Sequence, residues 1–221
     1  MVIDYLNPDV PSELPWHEVP LIKATNASLK GYGKLVKRKE LDGYPIEIVR
    51  WPASGWRPVD EGTGDEAGTV SGDFEFYWEG DFFRGKNHAV GSSYLFGWSK
   101  NPKDASSIST DVPTRVLLWH ANYHPDGGQL FFPKDNVAFI TALALPGDYV
   151  QPNRFQAFLV PKGHGIYIHP NVWHEAIVPM ASAATFYDEQ GAVHARVSVN
   201  FPKEFGVFLS VPILADHLER A

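Results

Sequence analysis

Short runs of β-branched and aromatic residues, separated by glycine and proline, recur along this chain of 221 residues. Runs of this kind are typical of strands, and their number favours a sandwich or barrel over a parallel α/β sheet. The predicted strands are Pro45–Trp51, Phe74–Trp78, Ser93–Trp98, Arg115–Tyr123, Val137–Leu145, Gln156–Val160, Gly165–Ile168, Trp173–Val178 and Val193–Phe201. Only Ile213–Arg220 has a helical pattern. We therefore expect an all-β fold with few short helices.

The length suits one domain that spans residues 1–221, because all-β barrels of this size fold around one core. Residues 1–30 contain Pro8, Pro11, Pro15 and Pro20. Proline interrupts helices and central strands, so we expect a long extended arm there. Residues 53–73 are rich in glycine and acidic residues, which predicts a long loop.

Composition excludes several function classes. The formal net charge of −7 argues against nucleic acid as a partner, since binding phosphates requires an excess of positive charge. No run of about 18 apolar residues could cross a membrane, and the N-terminus has no signal-peptide pattern, so we expect a cytoplasmic protein. Cysteine is absent. Any bound metal therefore requires nitrogen and oxygen ligands.

Three side chains that can bind metals or transfer protons alternate along the predicted strand at residues 115–124. Successive side chains of a strand point to opposite faces, so His120, Asn122 and His124 share one face. A polar, solvent-facing strand end is the alternative interpretation. The turn that follows, residues 125–128, would return Gln129 to the neighbourhood of His124. A further strand begins with Trp173 and His174.

This order, with a His-rich first motif and a second motif that ends in His174, resembles the cupin superfamily. The resemblance implies a cupin-type double-stranded β-helix, or jelly-roll, barrel. Where the general cupin pattern has two histidines and then a glutamate, this chain has Asn122, His124 and Gln129. The loss of an anionic ligand and of one imidazole weakens the binding of a divalent ion.

A closer resemblance is to the ureidoglycolate lyase family. It rests above all on residues 169–174, His-Pro-Asn-Val-Trp-His, and on residues 156–159 with Gly163 and Gly165. It covers about residues 120–178. The resemblance implies a lyase that eliminates urea, or a related amine or amide, from an N-substituted 2-hydroxy acid to give glyoxylate. It also implies a homodimer, which the proline-rich arm favours as well.

The resemblance also implies roles for individual residues. His124 and His174 are candidates for binding metal or substrate and for proton transfer, and His169 is a second acid–base candidate. Gln129 would orient the substrate or complete a metal site, with His120 as a further tentative ligand and Asn122 as a substrate contact. The expected cofactor is at most a divalent ion, Ni²⁺, Mn²⁺ or Zn²⁺, and none is organic.

A hydroxy acid substrate also needs a cation or amide donors for its carboxylate. Arg196 alternates with His194, Ser198 and Asn200 on one polar face, which lines a barrel lumen or meets solvent. Arg84 is the rival candidate, because Phe82 and Phe83 would anchor its loop. For either arginine, a routine surface charge is the alternative.

Two other function classes stay open at this point. A metal-dependent isomerase or dioxygenase would use His120, His124, His169 and His174 as imidazole ligands. A small-molecule-binding cupin without catalysis is the third possibility, because one fold hosts unrelated functions.

Overall fold

The computed structural model describes residues 3–50, 55–64, 68–192 and 195–213. Regular structure in these residues is almost entirely strand, which confirms the predicted all-β class. The strands are β1 (Trp16–Glu18), β2 (Leu21–Lys23), β3 (Gly33–Lys37), β4 (Thr69–Glu79), β5 (Phe82–Asn87), β6 (Ser92–Trp98), β7 (Arg115–Leu118), β8 (His120–Tyr123), β9 (Gln129–Pro133), β10 (Phe139–Ala144), β11 (Gln156–Val160), β12 (His164–Ile168), β13 (Trp173–Pro179), β14 (Ala183–Gly191), β15 (Val197–Asn200) and β16 (Phe208–Pro212). The helical elements are α1 (Phe201–Phe205) and the 3₁₀ turns Arg38–Glu40, Pro102–Asp104 and Pro152–Arg154.

The strands form two sheets whose inner faces share one core. Ten strands make one sheet, in the order β1-β16-β7-β6-β5-β4-β14-β9-β12-β3. Six strands make the other, in the order β15-β8-β13-β10-β11-β2. Neither sheet closes on itself within the described ranges. This is a β-rich, cupin-like arrangement of the kind that the histidine motifs predicted.

Aromatic side chains dominate the shared core. Phe76 and Phe186 from the larger sheet and Phe139, Phe158 and Trp173 from the smaller one are almost fully buried. Burial of one such side chain stabilises a fold by about 1.5–3 kcal/mol. Many of the aromatic residues of the sequence therefore pack between the two sheets and hold them together.

The N-terminal segment adds one short strand to each sheet. β1 runs parallel to β16 in the larger sheet, and β2 runs parallel to β11 in the smaller one. Between them, Val19 is buried, and its N–H donates to the carbonyl of Ser210 at 2.9 Å. Pro15 and Pro20 flank these strands, and proline cannot extend a strand's hydrogen-bond ladder. The segment is thus extended, as its prolines indicate.

The predicted strand at residues 115–123 is two strands, because the chain changes sheet at Trp119. β7 pairs with β16 and β6 in the larger sheet, whereas β8 pairs with β13 and β15 in the smaller one. The Trp119 indole N–H donates to the Leu95 carbonyl at 2.7 Å, which fixes this corner. The residues after Trp119 therefore belong to the smaller sheet as β8.

Two sequence predictions were wrong. Residues 45–50 form no strand and contribute only an isolated bridge between Ile48 and Gly127; residues 51–54 lie outside the described ranges. The expected loop at residues 53–73 ends sooner, because β4 begins at Thr69. Pairing of residues 69–73 with β14 outweighs the weak strand propensity of their glycine and aspartate.

Sequence analysis also missed several strands, among them β5, β14 and β16 of the larger sheet. β5 was interpreted as an anchored loop, while β14 and β16 were not predicted at all. β14 contains Asp188, Glu189 and Gln190, which are untypical of a central strand, yet Asp188 and Gln190 are buried. Backbone pairing on both sides, with β4 and β9, holds this strand in the sheet. The Asp188 carboxylate accepts side-chain hydrogen bonds, whereas the Gln190 amide has no hydrogen-bond partner among the residues that the structure describes.

The predicted C-terminal helix at Ile213–Arg220 falls almost wholly outside the described residues, which end at Ile213. Within the described residues, α1 is the one α-helix, and Asn200 caps it by accepting from the Lys203 N–H at 2.9 Å. No helix in the described ranges is both long enough and apolar enough to span a membrane.

Candidate active site

A small cavity lies between the two sheets. Its lining divides into polar and aromatic side chains. The polar residues are Asn87, His120, Asn122, His124, Gln129, His174, Glu175 and Arg196. The remaining lining residues are Tyr5, Phe74, Phe76, Tyr94, Phe96, Phe131 and Ala176. Convergent polar groups beside an aromatic wall are typical of small-molecule sites.

β8 delivers the first group of polar side chains. His120 and Asn122 are two residues apart on this strand, and His124 follows directly after it; all three are buried and line the cavity. They share a face, as strand periodicity predicts. His174 lies directly opposite Asn122 on the neighbouring strand β13. Cross-strand partners point to the same face, so His174 joins the group.

Gln129 approaches the two histidines from the opposite sheet. Its side-chain oxygen Oε1 is 3.2 Å from His124 Nε2 and 3.1 Å from His174 Nε2. The two imidazole rings are 5.0 Å apart, centroid to centroid. The predicted return of Gln129 to His124 is thus present, but it crosses between sheets rather than between neighbouring strands.

Backbone carbonyls determine which ring nitrogens carry protons. His124 Nδ1 lies 3.0 Å from the Ala195 carbonyl, and His174 Nδ1 lies 2.8 Å from the Val172 carbonyl. A carbonyl only accepts, so Nδ1 donates in both rings, and a neutral ring then presents the Nε2 lone pair. Burial lowers the pKa of His174, helped by the nearby His120, which favours this neutral form.

Three electron-pair donors therefore meet at one point: the two Nε2 atoms and Gln129 Oε1. Acceptors that face one another at about 3 Å are stabilised by a cation between them, either a proton on one imidazole or a metal ion. The arrangement is suited to taking up a proton or to binding a metal.

Asp188 and Asn87 hold the Gln129 amide in this direction. The Gln129 amide nitrogen donates to Asp188 Oδ1 at 2.7 Å, and Asn87 Nδ2 donates to Asp188 Oδ2 at 2.9 Å. A carboxylate accepts both bonds, so the amide nitrogen of Gln129 points to Asp188 and its oxygen points to the histidines. Asp188 is fully buried, and burial raises its pKa to about 7.

The motif at residues 169–174 also ties the two histidine segments together. Asn171 has a φ of 64°, a left-handed conformation that asparagine tolerates better than most residues. In this turn, its N–H donates to the carbonyl of His124 at 3.0 Å. Trp173 is fully buried and donates from its indole to the Gly147 carbonyl at 2.9 Å. The motif therefore fixes the start of β13 against the end of β8.

His120 is engaged differently from the other two histidines. Its Nδ1 lies 2.7 Å from Glu175 Oε2, and its Nε2 lies 2.8 Å from Ser198 Oγ. Ser198 in turn donates to Asp60 Oδ2 at 2.5 Å. Because both ring nitrogens of His120 already have partners, this imidazole is not placed to bind a metal together with His124 and His174.

Arg196 is the cavity's cation. Its guanidinium lies 4.1 Å from the centroid of the Tyr5 ring, and its Nε is 3.3 Å from Asp60 Oδ2. Only 13% of the side chain is exposed. Asn122 Oδ1, also in the cavity wall, has no hydrogen-bond partner within the described ranges. A ligand with a carboxylate and an N–H would match these two groups.

Two of the predicted site residues lie elsewhere. His169 lines a separate surface groove with Lys34 and Tyr44, and burial lowers the pKa of its imidazole. Arg84 forms an ion pair with Glu79 at 2.6 Å on the surface of the larger sheet. Neither side chain lines the cavity that contains the two facing histidines.

Several cavity residues were missed by sequence reasoning. Glu175 lines the cavity, and its position directly after His174 in the sequence was a signal for it. Strand alternation, however, predicts that neighbouring residues face opposite sides. Asp188 could not be found, since its strand was not predicted. Tyr5 and Asp60 come from segments that sequence analysis assigned to an arm and a loop, and no local pattern places them at a site.

A divalent ion needs several electron-pair donors directed at one point. The described ranges contain no group of three or more His, Asp or Glu side chains arranged to hold a metal. The four-imidazole site of the alternative interpretation is not formed, because His169 is outside the cavity and His120 is engaged. His124, His174 and Gln129 still offer two imidazole nitrogens and one amide oxygen, which fits a divalent ion held by neutral ligands.

Comparison with known proteins identifies the region that carries these residues. Residues 105–201 match the family model described as Ureidoglycolate lyase. A ureidoglycolate lyase of Rhodobacter capsulatus is 40% identical over 63 residues, which are 28% of this chain and 38% of that protein. A ureidoglycolate lyase of Salmonella enteritidis PT4 is 32% identical over 71 residues, which are 32% of this chain and 44% of that protein.

These matches span less than half the length of either curated relative. The family match leaves out the first hundred residues of this chain, including β4 to β6. Every polar lining residue named above except Asn87 lies within the matched segment. The segment that supplies the facing histidines, residues 105–201, thus matches the ureidoglycolate lyase family model, the family that the motif at residues 169–174 resembles.

Proposed function

We propose that this protein is a lyase that eliminates the nitrogen substituent of an N-substituted 2-hydroxy acid, with ureidoglycolate as the substrate that the relatives indicate. One observation carries the proposal: two buried imidazole nitrogens face one amide oxygen in a cavity that also contains an arginine. Proton transfer and carboxylate binding are the two tasks that this elimination requires.

The reaction is the collapse of a hemiaminal. The hydroxyl proton leaves, its oxygen forms the carbonyl of glyoxylate, and the C–N bond breaks with its electron pair going to nitrogen. That nitrogen takes up a proton and departs as urea. A group that accepts one proton and delivers one proton is sufficient, because oxygen and nitrogen are bound to the same carbon.

The neutral imidazoles of His124 and His174 are suited to this role. Each donates from Nδ1 to a carbonyl and turns Nε2 into the cavity. An imidazole that accepts the hydroxyl proton becomes a cation, which the facing oxygen of Gln129 stabilises. It then delivers the proton to the leaving nitrogen. The lowered pKa of His174 keeps it ready to accept a proton at neutral pH.

Arg196 is the proposed partner of the substrate carboxylate. The side chain is largely buried, and its Nε lies in ion-pair contact with Asp60 but has no hydrogen-bond partner within the described part of the chain, so this donor can bind a ligand. Burial strengthens a charge-assisted pair with a carboxylate. Asn122 Oδ1 would accept the N–H of the substrate next to the carbon that reacts.

A divalent ion, Ni²⁺, Mn²⁺ or Zn²⁺, would be held by His124, His174 and Gln129. When bound, it would polarise the hydroxyl and lower its pKa. The metal and the proton use the same Nε2 lone pairs, so the affinity for metal falls as these imidazoles become protonated. Chelation followed by addition of each ion tests this part: restored turnover supports the metal, and unchanged turnover after chelation rejects it.

The test of the activity is product analysis with racemic ureidoglycolate. Elimination gives glyoxylate and urea in equal amounts and no ammonia. Ammonia in place of urea would indicate hydrolysis of the ureido group and would contradict the proposal. Binding of ureidoglycolate without any product would favour the non-catalytic alternative.

We also propose that the protein is a homodimer. Trp56 and Tyr149 form an exposed ring pair, with 58% and 84% of the residues accessible and 5.7 Å between the ring centroids. Exposed aromatic pairs of this kind are enriched at protein interfaces. Light scattering gives the mass in solution, and the mass of a single chain would contradict the proposal.

A further inference from the structure

The wall of the cavity on the larger sheet is aromatic. It consists of Phe74, Phe76, Tyr94, Phe96 and Phe131, called here the aromatic wall. Phe74 stacks on Phe76 at 4.2 Å, and Tyr94 stacks on Phe96 at 5.4 Å. Phe74 connects the two pairs, with its centroid 5.9 Å from Tyr94. The rings form one continuous apolar surface.

This wall comes mostly from outside the segment that resembles the lyase relatives. Phe74, Phe76, Tyr94 and Phe96 lie on β4 and β6, before the start of the matched residues 105–201. Only Phe131 falls inside the match. The matched segment thus supplies most of the polar groups, and residues outside it supply most of the aromatic wall.

The aromatic wall begins beside the proposed carboxylate partner. The Arg196 guanidinium lies over the Tyr5 ring at 4.1 Å, and the Tyr5 and Tyr94 centroids are 5.7 Å apart. At its other end, Phe131 lies two residues from Gln129 on β9. A molecule whose carboxylate binds Arg196 and whose reacting carbon faces Gln129 has its remaining atoms against these rings.

Polar atoms on this side of the cavity are few. The phenylalanine rings offer no hydrogen bond, and the Tyr94 hydroxyl, the one polar atom of the aromatic wall, is already engaged by Ser92 and Arg196. Both ends of the Asn87 amide are engaged as well, with Asp188 and with the Ala89 N–H. The terminal NH₂ of a ureido group would lie against the rings with its donors unpaired, which is costly in a buried site. An apolar group in the same place gains from its transfer out of water.

From this wall we infer that the preferred substrate carries an apolar acyl group on its nitrogen, so that the enzyme acts on N-acyl-2-hydroxyglycines. The inference rests on the proposed function and specifies its substrate class. The step is the same elimination: the hydroxyl loses its proton, the C–N bond breaks toward nitrogen, and the nitrogen gains a proton. Glyoxylate and a primary amide are the products, and no further reactant is needed.

The first test measures binding of two stable analogues that lack the 2-hydroxyl group. N-Benzoylglycine carries an aromatic acyl group, and N-carbamoylglycine carries the ureido group; both have one carboxylate. Calorimetry should give an affinity for N-benzoylglycine at least about tenfold higher, since a site rejects a ligand that leaves polar groups unpaired. Equal affinities, a preference for N-carbamoylglycine, or no binding of either would overturn the inference.

A pair of matched variants locates the preference. Phe96→Leu reduces the aromatic wall, and we expect the affinity ratio of the two analogues to fall at least about threefold. Phe208→Leu is the control, since Phe208 is fully buried but packs in a separate cluster with Trp98 and Trp119. It should leave the ratio unchanged. A ratio that falls equally in both variants, or in neither, contradicts the role of the wall.

Turnover separates failure of the inference from failure of the function. Glyoxylate release is measured with N-benzoyl-2-hydroxyglycine and with ureidoglycolate, and a higher kcat/KM for the benzoyl compound supports the inference. A higher kcat/KM for ureidoglycolate overturns the inference and leaves the lyase in place. If N-benzoylglycine binds more tightly but neither hydroxy acid releases glyoxylate, the lyase proposal fails and the ligand class remains.

Discussion

His174 Nε2 lies 3.1 Å from Gln129 Oε1, and the amide that carries this oxygen is held by Asp188 at 2.7 Å on its other side. The contact joins strands of opposite sheets, β13 and β9. Its chemistry depends on the direction of the amide, because only the oxygen can face an imidazole lone pair with a cation between them. Asp188 is therefore a positioning residue for the candidate site.

Exchanging the two side chains tests this geometry. In Gln129→Glu/Asp188→Asn, the new asparagine donates to the new glutamate, so the hydrogen bond is kept while an anionic oxygen faces the histidines. We expect the affinity for Ni²⁺ or Zn²⁺ to rise about tenfold or more, because a carboxylate replaces a neutral ligand. Calorimetry measures the change. The exposed Gln151→Glu is the control, and an equal rise in that variant would argue against a specific site.

The burial of Asp188 makes stability depend on pH. Its pKa is about 7 in the folded protein and 3.8 as the reference. Because the folded protein holds the Asp188 proton more tightly than the unfolded chain does, Asp188 stabilises the fold fully at pH values below the unfolded-state pKa. This stabilisation decreases as the pH rises and is lost once the pH has passed the folded-state pKa of about 7. The total loss in the free energy of unfolding between pH 4 and 7 is about 4 kcal/mol at most.

Denaturation of wild type and Asp188→Asn with urea at about pH 5 and about pH 8 measures this contribution. We expect the free energy of unfolding of wild type to fall with pH relative to that of the variant. The exposed Asp135→Asn should parallel wild type at both pH values. A difference between wild type and Asp188→Asn that does not change with pH would refute the assignment.

Arg196 and Arg84 form a matched pair for locating the carboxylate partner. Lysine keeps the charge but not the planar two-pronged donor. We expect Arg196→Lys to raise KM for a 2-hydroxy acid about tenfold, with a smaller effect on kcat. Arg84→Lys should leave both constants within about twofold of wild type. The opposite ranking of the two variants would move the carboxylate site to the surface near Glu79.

Much of the fold and part of the candidate site follow from local patterns. Strand alternation put His120, Asn122 and His124 on one face because side-chain direction in a strand is fixed by the backbone. The motif that ends in His174 predicted the family whose model matches residues 105–201, and its turn at Asn171 bonds to the His124 carbonyl. Those are short-range properties that a sequence records directly.

The rest depends on contacts between distant segments. β14 is polar at Asp188 and Gln190, and only its pairing with β4 and β9 makes it a central strand. His169 belongs to the same motif as His174, but it precedes the turn at Asn171 and ends in another groove. The alternation of Phe74 and Phe76 indicated a strand, yet nothing local showed that this face would line a cavity with residues 120–196.

Comparison of two histidines of one motif tests the central claim most directly. Initial rates of glyoxylate release from racemic ureidoglycolate, and from N-benzoyl-2-hydroxyglycine, are measured for wild type, His174→Ala and His169→Ala, each confirmed as folded by circular dichroism. We expect His174→Ala to lose about 10²–10⁴-fold in rate and His169→Ala to stay within about twofold of wild type. Full turnover by folded His174→Ala would contradict the account.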